Sequence, residues 1–381
     1  MDANRLYYKN PYAAAFSARV TSCAESAEGW LVTMDNTAFY PEGGGQPGDT
    51  GTLGGVRVLD TQEADGEAVH LCSAPLAVGS EVEGYIDWPR RFDLMQQHSG
   101  EHIVSGIVHR RFGWDNVGFH MGADVITVDF SGPLSAEELR SVEREANEAV
   151  WSDTEFETLW PTAQELEHMD FRSKKELDGS VRIIRVGGWD LCACCGTHVS
   201  RAGEIGLIKI LSAQKLRGGT RIEMVCGSRA YDYVSAAMEQ NRKISALLSA
   251  KPLQTAESVQ RLQSEEAAVR YRMVGLENAL IELKAEAQTG RGDIVLFEEG
   301  FAPDAVRRLC AAAGEKCGGR CAVFSGTDAE GYKYAVCERG GDLRAFVKEL
   351  NAALSGSGGG KPDFVQGSVK ATRAQIAKFF D

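Results

Sequence analysis

The segment "QQHSGEHIVSGIVHRR" (Gln96–Arg111) sets two histidines, His98 and His102, four positions apart. Around it Phe92, Met95, His98, His102 and Ile103 recur at steps of three and four, so the stretch from Pro89 predicts an amphipathic helix. Proline suits a first helical turn, where its missing N–H would have no partner anyway. Positions i and i+4 lie one above the other on a helix, and two imidazoles so placed can aim at one point. This helix also divides the chain.

On its N-terminal side, residues 1–88 read as short β segments: "AFSARVTSC", "GWLVTMDN", "GTLGGVRVLD", "EAVHLCS" and "EVEGYIDW". Turn residues punctuate them, most densely in "YPEGGGQPGDTGTLGG", and predict a small β-barrel or sandwich. On its C-terminal side come strand-like "NVGFHMG" and "DVITVDF", then a helix opened by "SAEE", whose Ser135 and Glu138 make a capping-box signature. "EFETLW", "VRIIRV", "IGLIKILS" and "TRIEMVCG" complete an α+β domain over 89–228, with helices on one face of a largely antiparallel sheet.

Residues 229–290 read as a helical linker broken near Lys251 and Pro252. Val259, Leu262, Val269, Met273, Leu276, Leu280 and Leu283 form a stripe, interrupted at Glu266, that predicts a helical hairpin or short coiled coil. The stripe packs on its own chain or pairs with a second copy to make a homodimer. Residues 291–381 return to strand–helix alternation and read as a separate C-terminal α/β domain, so the chain as a whole is α+β.

Composition narrows the function classes. The 381 residues carry 41 Lys and Arg against 54 Asp and Glu, a net charge of -13, which argues against binding polyanions through overall charge. The last 91 residues carry +1 of this, so any RNA contact is local. Its candidates are "HRRFG", "RSKK", "KLRGGTR" and the tail from Lys361 to Lys378. No apolar run reaches the roughly 20 residues of a membrane helix, and the opening "MDANRLYYKNPY" lacks a secretory layout. A cytoplasmic location is expected, with the ten cysteines reduced and available as metal ligands.

A second pair gives the histidines of the helix a purpose. "DLCACCGTHVS" (Asp190–Ser200) offers Cys192, Cys194 or Cys195 beside His198, with Gly196 and Thr197 allowing a tight turn. One cysteine with three histidines is a chemically suitable zinc set, although cobalt, nickel and iron accept the same donors.

These motifs carry a family resemblance. "HSGEH" and "CCGTH" are similar to the zinc motifs of the editing domains of alanyl-tRNA synthetase and of their free-standing relatives, the AlaX-type editing proteins. "DNTAFYPEGGGQPGDTG" resembles the glycine-rich motif of the family's N-terminal barrel. "RAGEIGLIKILS" and "GGTRIEMVCG" resemble the stretch after its cysteine motif. "SGSGGGKPDFVQGS" resembles the signature of the synthetase's C-terminal domain, also found after DHH-type phosphoesterases; no Asp-His-His triplet occurs here. Cys195 departs from the pattern, where the family commonly has glycine.

The resemblance is strongest to the long AlaX form. It implies a zinc ion held by His98, His102, Cys194 and His198. The implied reaction is hydrolysis of serine or glycine wrongly esterified to alanine tRNA, a task that arises because a pocket for alanine rejects small side chains by only a few kcal/mol. Gln46, in "GGGQPG", and Thr37, in "DNTAFY", are the candidate catalytic or substrate-contacting residues. Arg217, Arg221 and Lys361 are the candidate nucleic-acid contacts, and the resemblance implies that the C-terminal domain helps bind tRNA and is a second candidate route, beside the helical linker, to a homodimer. The barrel begins almost at residue 1, so no aminoacylation core is expected. The rival expectation is a noncatalytic tRNA-binding protein whose zinc is purely structural.

Overall fold

A computed structural model describes residues 4–173 and 181–381, which divide into two compact units, 1–242 and 243–381. In the first unit a short helix α1 (Leu6–Lys9) precedes six strands: β1 (Ala15–Ser26), β2 (Gly29–Met34), β3 (Gly51–Leu53), β4 (Val56–Ala64), β5 (Glu67–Cys72) and β6 (Glu81–Ile86). They close into a barrel in the order β1-β2-β5-β4-β3-β6, sealed by pairing of Ala15–Arg19 with Glu81–Tyr85. Strict alternation in β6 turns Val82, Gly84 and Ile86 inward against Val20, Val32, Phe39 and Leu53. The run "GTLGGVRVLD", which reads as one segment, is a hairpin: Gly54 and Gly55 both take positive φ (54° and 83°), as a tight primed turn requires.

The long helix follows as α2 (Trp88–Phe112), one residue earlier than its proline suggests. Asp87 caps it by accepting the Arg90 N–H, and Gly113 ends it in the left-handed conformation (φ 72°). Two features fix its position. Arg91, buried, pairs with Asp49 of the barrel and donates to the carbonyls of Pro11 and Ala38. Gln97 exchanges two hydrogen bonds with the backbone of Cys226.

The remaining elements of this unit are β7 (Asn116–Met121), β8 (Ile126–Phe130), α3 (Ala136–Trp151), β9 (Phe156–Leu159), α4 (Ala163–Leu166), β10 (Ile183–Val186), β11 (Asp190–Ala193), β12 (Ile208–Leu216), β13 (Gly219–Cys226) and α5 (Gly227–Leu247), the last continuing past residue 242. The capping box of Ser135 and Glu138 is formed. Instead of one sheet there are two, both antiparallel: β12-β13-β8-β7 and β11-β10-β9. The first buries Ile126, Val128, Ile222 and Met224 against Ile103, Val104 and Ile107 of α2, while the second supplies Ile184 and Val186 to the same core.

In the second unit α6 (Thr255–Glu286) leads into β14 (Gly292–Glu298), α7 (Pro303–Cys317), β15 (Gly318–Thr327), β16 (Gly331–Glu338), α8 (Arg344–Ala353), β17 (Ser357–Lys361), β18 (Phe364–Val369) and α9 (Arg373–Phe380). The five-stranded sheet runs β14-β15-β16-β18-β17, with β14 and β15 parallel and the other pairs antiparallel. The glycine-rich "SGSGGGKPDFVQGS" reads as a loop but forms the hairpin β17–β18, because an edge strand can be held by backbone bonds alone. The apolar stripe of α6 is exposed at Val259, Leu262, Val269, Met273, Leu276, Leu280 and Leu283, whereas Ile281 and Ala285 are buried. No described helix is long and apolar enough to cross a membrane.

Candidate metal centre

His98 and His102 project from the middle of α2, and Cys194 and His198 lie in the loop after β11. The donor atoms of all four lie within 4.8 Å of one another. Cys194 Sγ is 3.5 Å from His98 Nε2 and 3.4 Å from His198 Nε2, with a 3.3 Å contact from the Gly196 N–H. Cys192 is buried and Cys195 exposed, and neither belongs to this foursome.

The loop approaches α2 so closely that only glycine fits at 196, since a Cβ there would stand 2.1 Å from the His98 ring. On the barrel side Gly45 has φ 84°, and a Cβ would meet the Phe119 ring at 2.7 Å. The turn it permits, closed by paired backbone bonds between Gly43 and Gln46, delivers Gln46 to the cluster fully buried.

Each imidazole is held through Nδ1. Gln46 Oε1 accepts from the Thr197 N–H (3.0 Å), which fixes the amide's orientation, and from His98 Nδ1–H (3.0 Å). Gln46 Nε2 donates to Thr197 Oγ1 (2.7 Å). Asp190 Oδ2 accepts from His102 Nδ1–H (2.8 Å), and Arg172 clasps the same carboxylate at 2.8 and 2.9 Å. His198 Nδ1 lies 3.3 Å from Ser99 Oγ, which also accepts the Val199 N–H. With Nδ1 committed, the Nε2 atoms face the thiol, the tautomer that metal ligation needs. Phe119 and Phe156 stack on His98 and His198 and limit ring rotation. Arg182 donates to the carbonyls of Cys194 (2.9 Å) and Gly196 (2.8 Å), bracing the loop.

The electrostatics favour a thiolate at Cys194, stabilised by the imidazoles around it. Burial opposes ionisation of Cys194, but His98, His102 and His198 together hold its pKa well below that of an ordinary thiol. Burial, reinforced by the charge of His98, pushes His198 down to about 3. At His102 burial is outweighed by Cys194 and Asp190, and the pKa rises to about 9. Asp190 stays below the usual carboxylate range in spite of its burial because Arg172 and His102 flank it.

The other predicted residues are distributed elsewhere. Thr37 is buried, and the described partners of its hydroxyl are His70 Nε2 (2.9 Å) and the Phe39 N–H (3.1 Å). Arg221 is paired bidentately with Asp129, Arg217 is exposed in the β12–β13 turn, and Lys361 is exposed on β17 of the second unit. In "HRRFG" both arginines engage Glu145. Lys174 and Lys175 of "RSKK" lie outside the described residues, while Arg172, read there as part of a basic cluster, turns inward to Asp190. Asp190, Arg172, Ser99 and Arg182 are missed by sequence reasoning. Ser99 had one signal, its place between the two helical ligands.

Family comparisons fit this arrangement. Residues 9–90 match the class II (A) tRNA synthetase model, a match that falls on the barrel. Residues 181–223 match the threonyl and alanyl tRNA synthetase second additional domain, and 292–381 match the DHHA1 domain. The chain is 28% identical over 410 residues to alanyl-tRNA editing protein AlaX-L of Pyrococcus horikoshii, covering 98% of this chain and 96% of that protein. It is 33% identical over 397 residues to the alanine–tRNA ligase of Pyrococcus abyssi, covering 97% of this chain but only 42% of the ligase. It is also 33% identical over 273 residues to alanyl-tRNA editing protein Aarsd1-B of Xenopus laevis, covering 70% of this chain and 66% of that protein.

Fold and site together thus define a chain of the aminoacyl-tRNA editing class, with a barrel joined to a Cys/His3 centre. It belongs to the AlaX family of alanyl-tRNA editing proteins, and its match to the long form runs through the C-terminal unit.

Proposed function

We propose that the protein is a trans-editing hydrolase that deacylates alanine tRNA mischarged with serine or glycine, with zinc at the Cys/His3 centre, and that it works in the cytoplasm. The observation that carries this reading is the convergence of His98, His102, Cys194 and His198, each imidazole anchored through Nδ1.

The donors fit zinc. Zn–S and Zn–N bonds of about 2.3 and 2.05 Å at a tetrahedral angle put sulfur and nitrogen about 3.5 Å apart, against 3.4 and 3.5 Å here. When bound, the ion supplies Lewis-acid polarisation of an ester carbonyl or acidifies a water. The chain's own residues do the rest: Gln46 and Asp190 orient His98 and His102, and Arg172 neutralises the buried Asp190. Gln46 is thereby a positioning residue. Arg217, exposed beside this domain, and Lys361 are the proposed tRNA contacts. A second copy pairing along the exposed stripe of α6 is the proposed dimer.

A second reading has its own observation. Four protein ligands usually mark a closed, structural zinc, whereas catalytic sites keep one position open. The two readings part in one assay: purified protein is incubated with alanine tRNA charged with serine, glycine or alanine, with and without chelator. Metal-dependent loss of the serine or glycine ester with alanine spared supports editing. Tight tRNA binding without hydrolysis supports the structural role.

A further inference from the structure

Four of the ten cysteines fall within residues 310–337 of the C-terminal unit, and the editing reading uses none of them. Cys310 on α7, Cys321 on β15 and Cys337 on β16 bring their Sγ atoms within 4.8 Å of one another. Cys321 and Cys337 are directly opposed partners in the antiparallel β15–β16 pair. Such partners have Cα atoms about 4.5–5.5 Å apart, inside the range of about 4.4–6.8 Å that a disulfide spans. Helix α7 makes room for the sulfurs: a Cβ at Gly314 would sit 2.2 Å from Cys337 Sγ.

Packing alone would explain small buried thiols. The three are not equivalent, however. Cys310 and Cys321 are fully buried, and Cys337 is partly exposed. Cys337 Sγ donates to the Cys310 carbonyl (3.1 Å) and Cys310 Sγ to the Cys321 carbonyl (3.4 Å), and the neighbouring Cys310 and Cys321 draw the Cys337 pKa below the ordinary thiol value against the effect of burial. Burial raises Cys310. An acidified thiol, less buried than the two sulfurs packed beside it, is the arrangement of a redox-reactive cysteine with resolving partners. The charge balance separates this from a metal site. A trio of thiolates around a mono- or divalent cation leaves net negative charge in the apolar surroundings of Leu309, Ala313 and Val323. A disulfide leaves none.

We infer that Cys337 and Cys321 form a peroxide-responsive thiol pair, with Cys337 the attacking residue. The Cys337 thiolate attacks one oxygen of hydrogen peroxide, forming an S–O bond as the O–O bond breaks; this gives a sulfenic acid and hydroxide, which takes up a proton to become water. Cys321 Sγ then attacks the sulfenic sulfur, forming the S–S bond. The S–O bond breaks, and the hydroxyl leaves as a second water with the Cys321 proton. Two thiols are oxidised by two electrons, and one peroxide is reduced. Cys310 is the spare third sulfur.

The test treats the full chain with a small molar excess of hydrogen peroxide and maps peptides without reduction. A Cys321–Cys337 linked peptide, two hydrogens lighter than the sum of its parts and reversed by dithiothreitol, is expected. It should be lost in Cys337→Ser and retained in Cys310→Ala, and a sulfenic-acid trap added early should label Cys337. Circular dichroism confirms that each variant is folded, and the wild-type map stands alone if one is not. A Cys310–Cys337 link, or oxidation confined to the exposed Cys195 while Cys321 and Cys337 stay free thiols, overturns the inference.

Discussion

The barrel and the helix that follows it both bury histidine and use it in opposite ways. In the barrel, His70 donates through Nδ1 to the Val32 carbonyl (2.9 Å) and accepts the Thr37 hydroxyl at Nε2 (2.9 Å). Both nitrogens are spent, and burial lowers its pKa to about 4. In the centre, His98, His102 and His198 are equally buried but spend only Nδ1, leaving Nε2 for Cys194. Burial alone therefore does not distinguish a ligand from a packed ring; the number of free ring nitrogens does.

The sharpest way to break this contrast is to delete a ring from each side. His102→Ala should reduce zinc affinity and deacylation by more than about 100-fold, beyond the effect of outer-shell changes, measured by chelator competition and ester loss. His70→Gln should leave both within a few-fold. Equal losses would erase the distinction.

The next effect is on pH dependence. The folded-state pKa of His70 is depressed, so its contribution to stability is complete above the unfolded value of about 6.5 and is lost as pH falls toward about 4. Two and a half units at 1.36 kcal/mol each is about 3 kcal/mol. Denaturant unfolding of the first unit should show this fall between pH 6.5 and 4, and His70→Gln should flatten it. An unchanged profile would mean that some other group titrates there.

Smaller still is the outer shell. Gln46→Leu removes the acceptor for both His98 Nδ1–H and the Thr197 N–H, and zinc affinity should fall about 10–100-fold with the fold retained. Thr37→Val should cost the barrel about 2 kcal/mol through two lost hydrogen bonds, to His70 and from the Phe39 N–H, and leave the relative rates on serine and glycine esters unchanged. A shift in that ratio would return Thr37 to the substrate.

These comparisons also show what the sequence could reveal. The cluster was partly legible: only the family resemblance separated Cys194 from Cys192 and Cys195, while helical spacing marks His98 and His102 and a Cys-Cys-Gly-Thr-His turn marks His198, both local signals. The barrel's alternation and the Ser135 cap were legible for the same reason. The anchors were not: Asp190 meets His102 across 88 positions, Gln46 meets Thr197 across 151, and nothing local marks either pair. Arg172 shows the converse failure, because a run of basic residues does not say which of them turns inward. The glycine-rich tail misled in another way, since low side-chain content reads as loop even where an edge strand needs only backbone.

The spacing of the ligands sets a timetable for biogenesis. His98 and Cys194 are 96 residues apart, and a ribosome adding about 5–20 residues per second needs roughly 5–20 s to cover that stretch. All six barrel strands end by Ile86, so the barrel can close during this wait, while the paired helical imidazoles emerge without their thiolate. On the proposed zinc reading, metal loading is a late maturation event, and zinc starvation during translation would strand a nascent chain with its barrel made and its centre open.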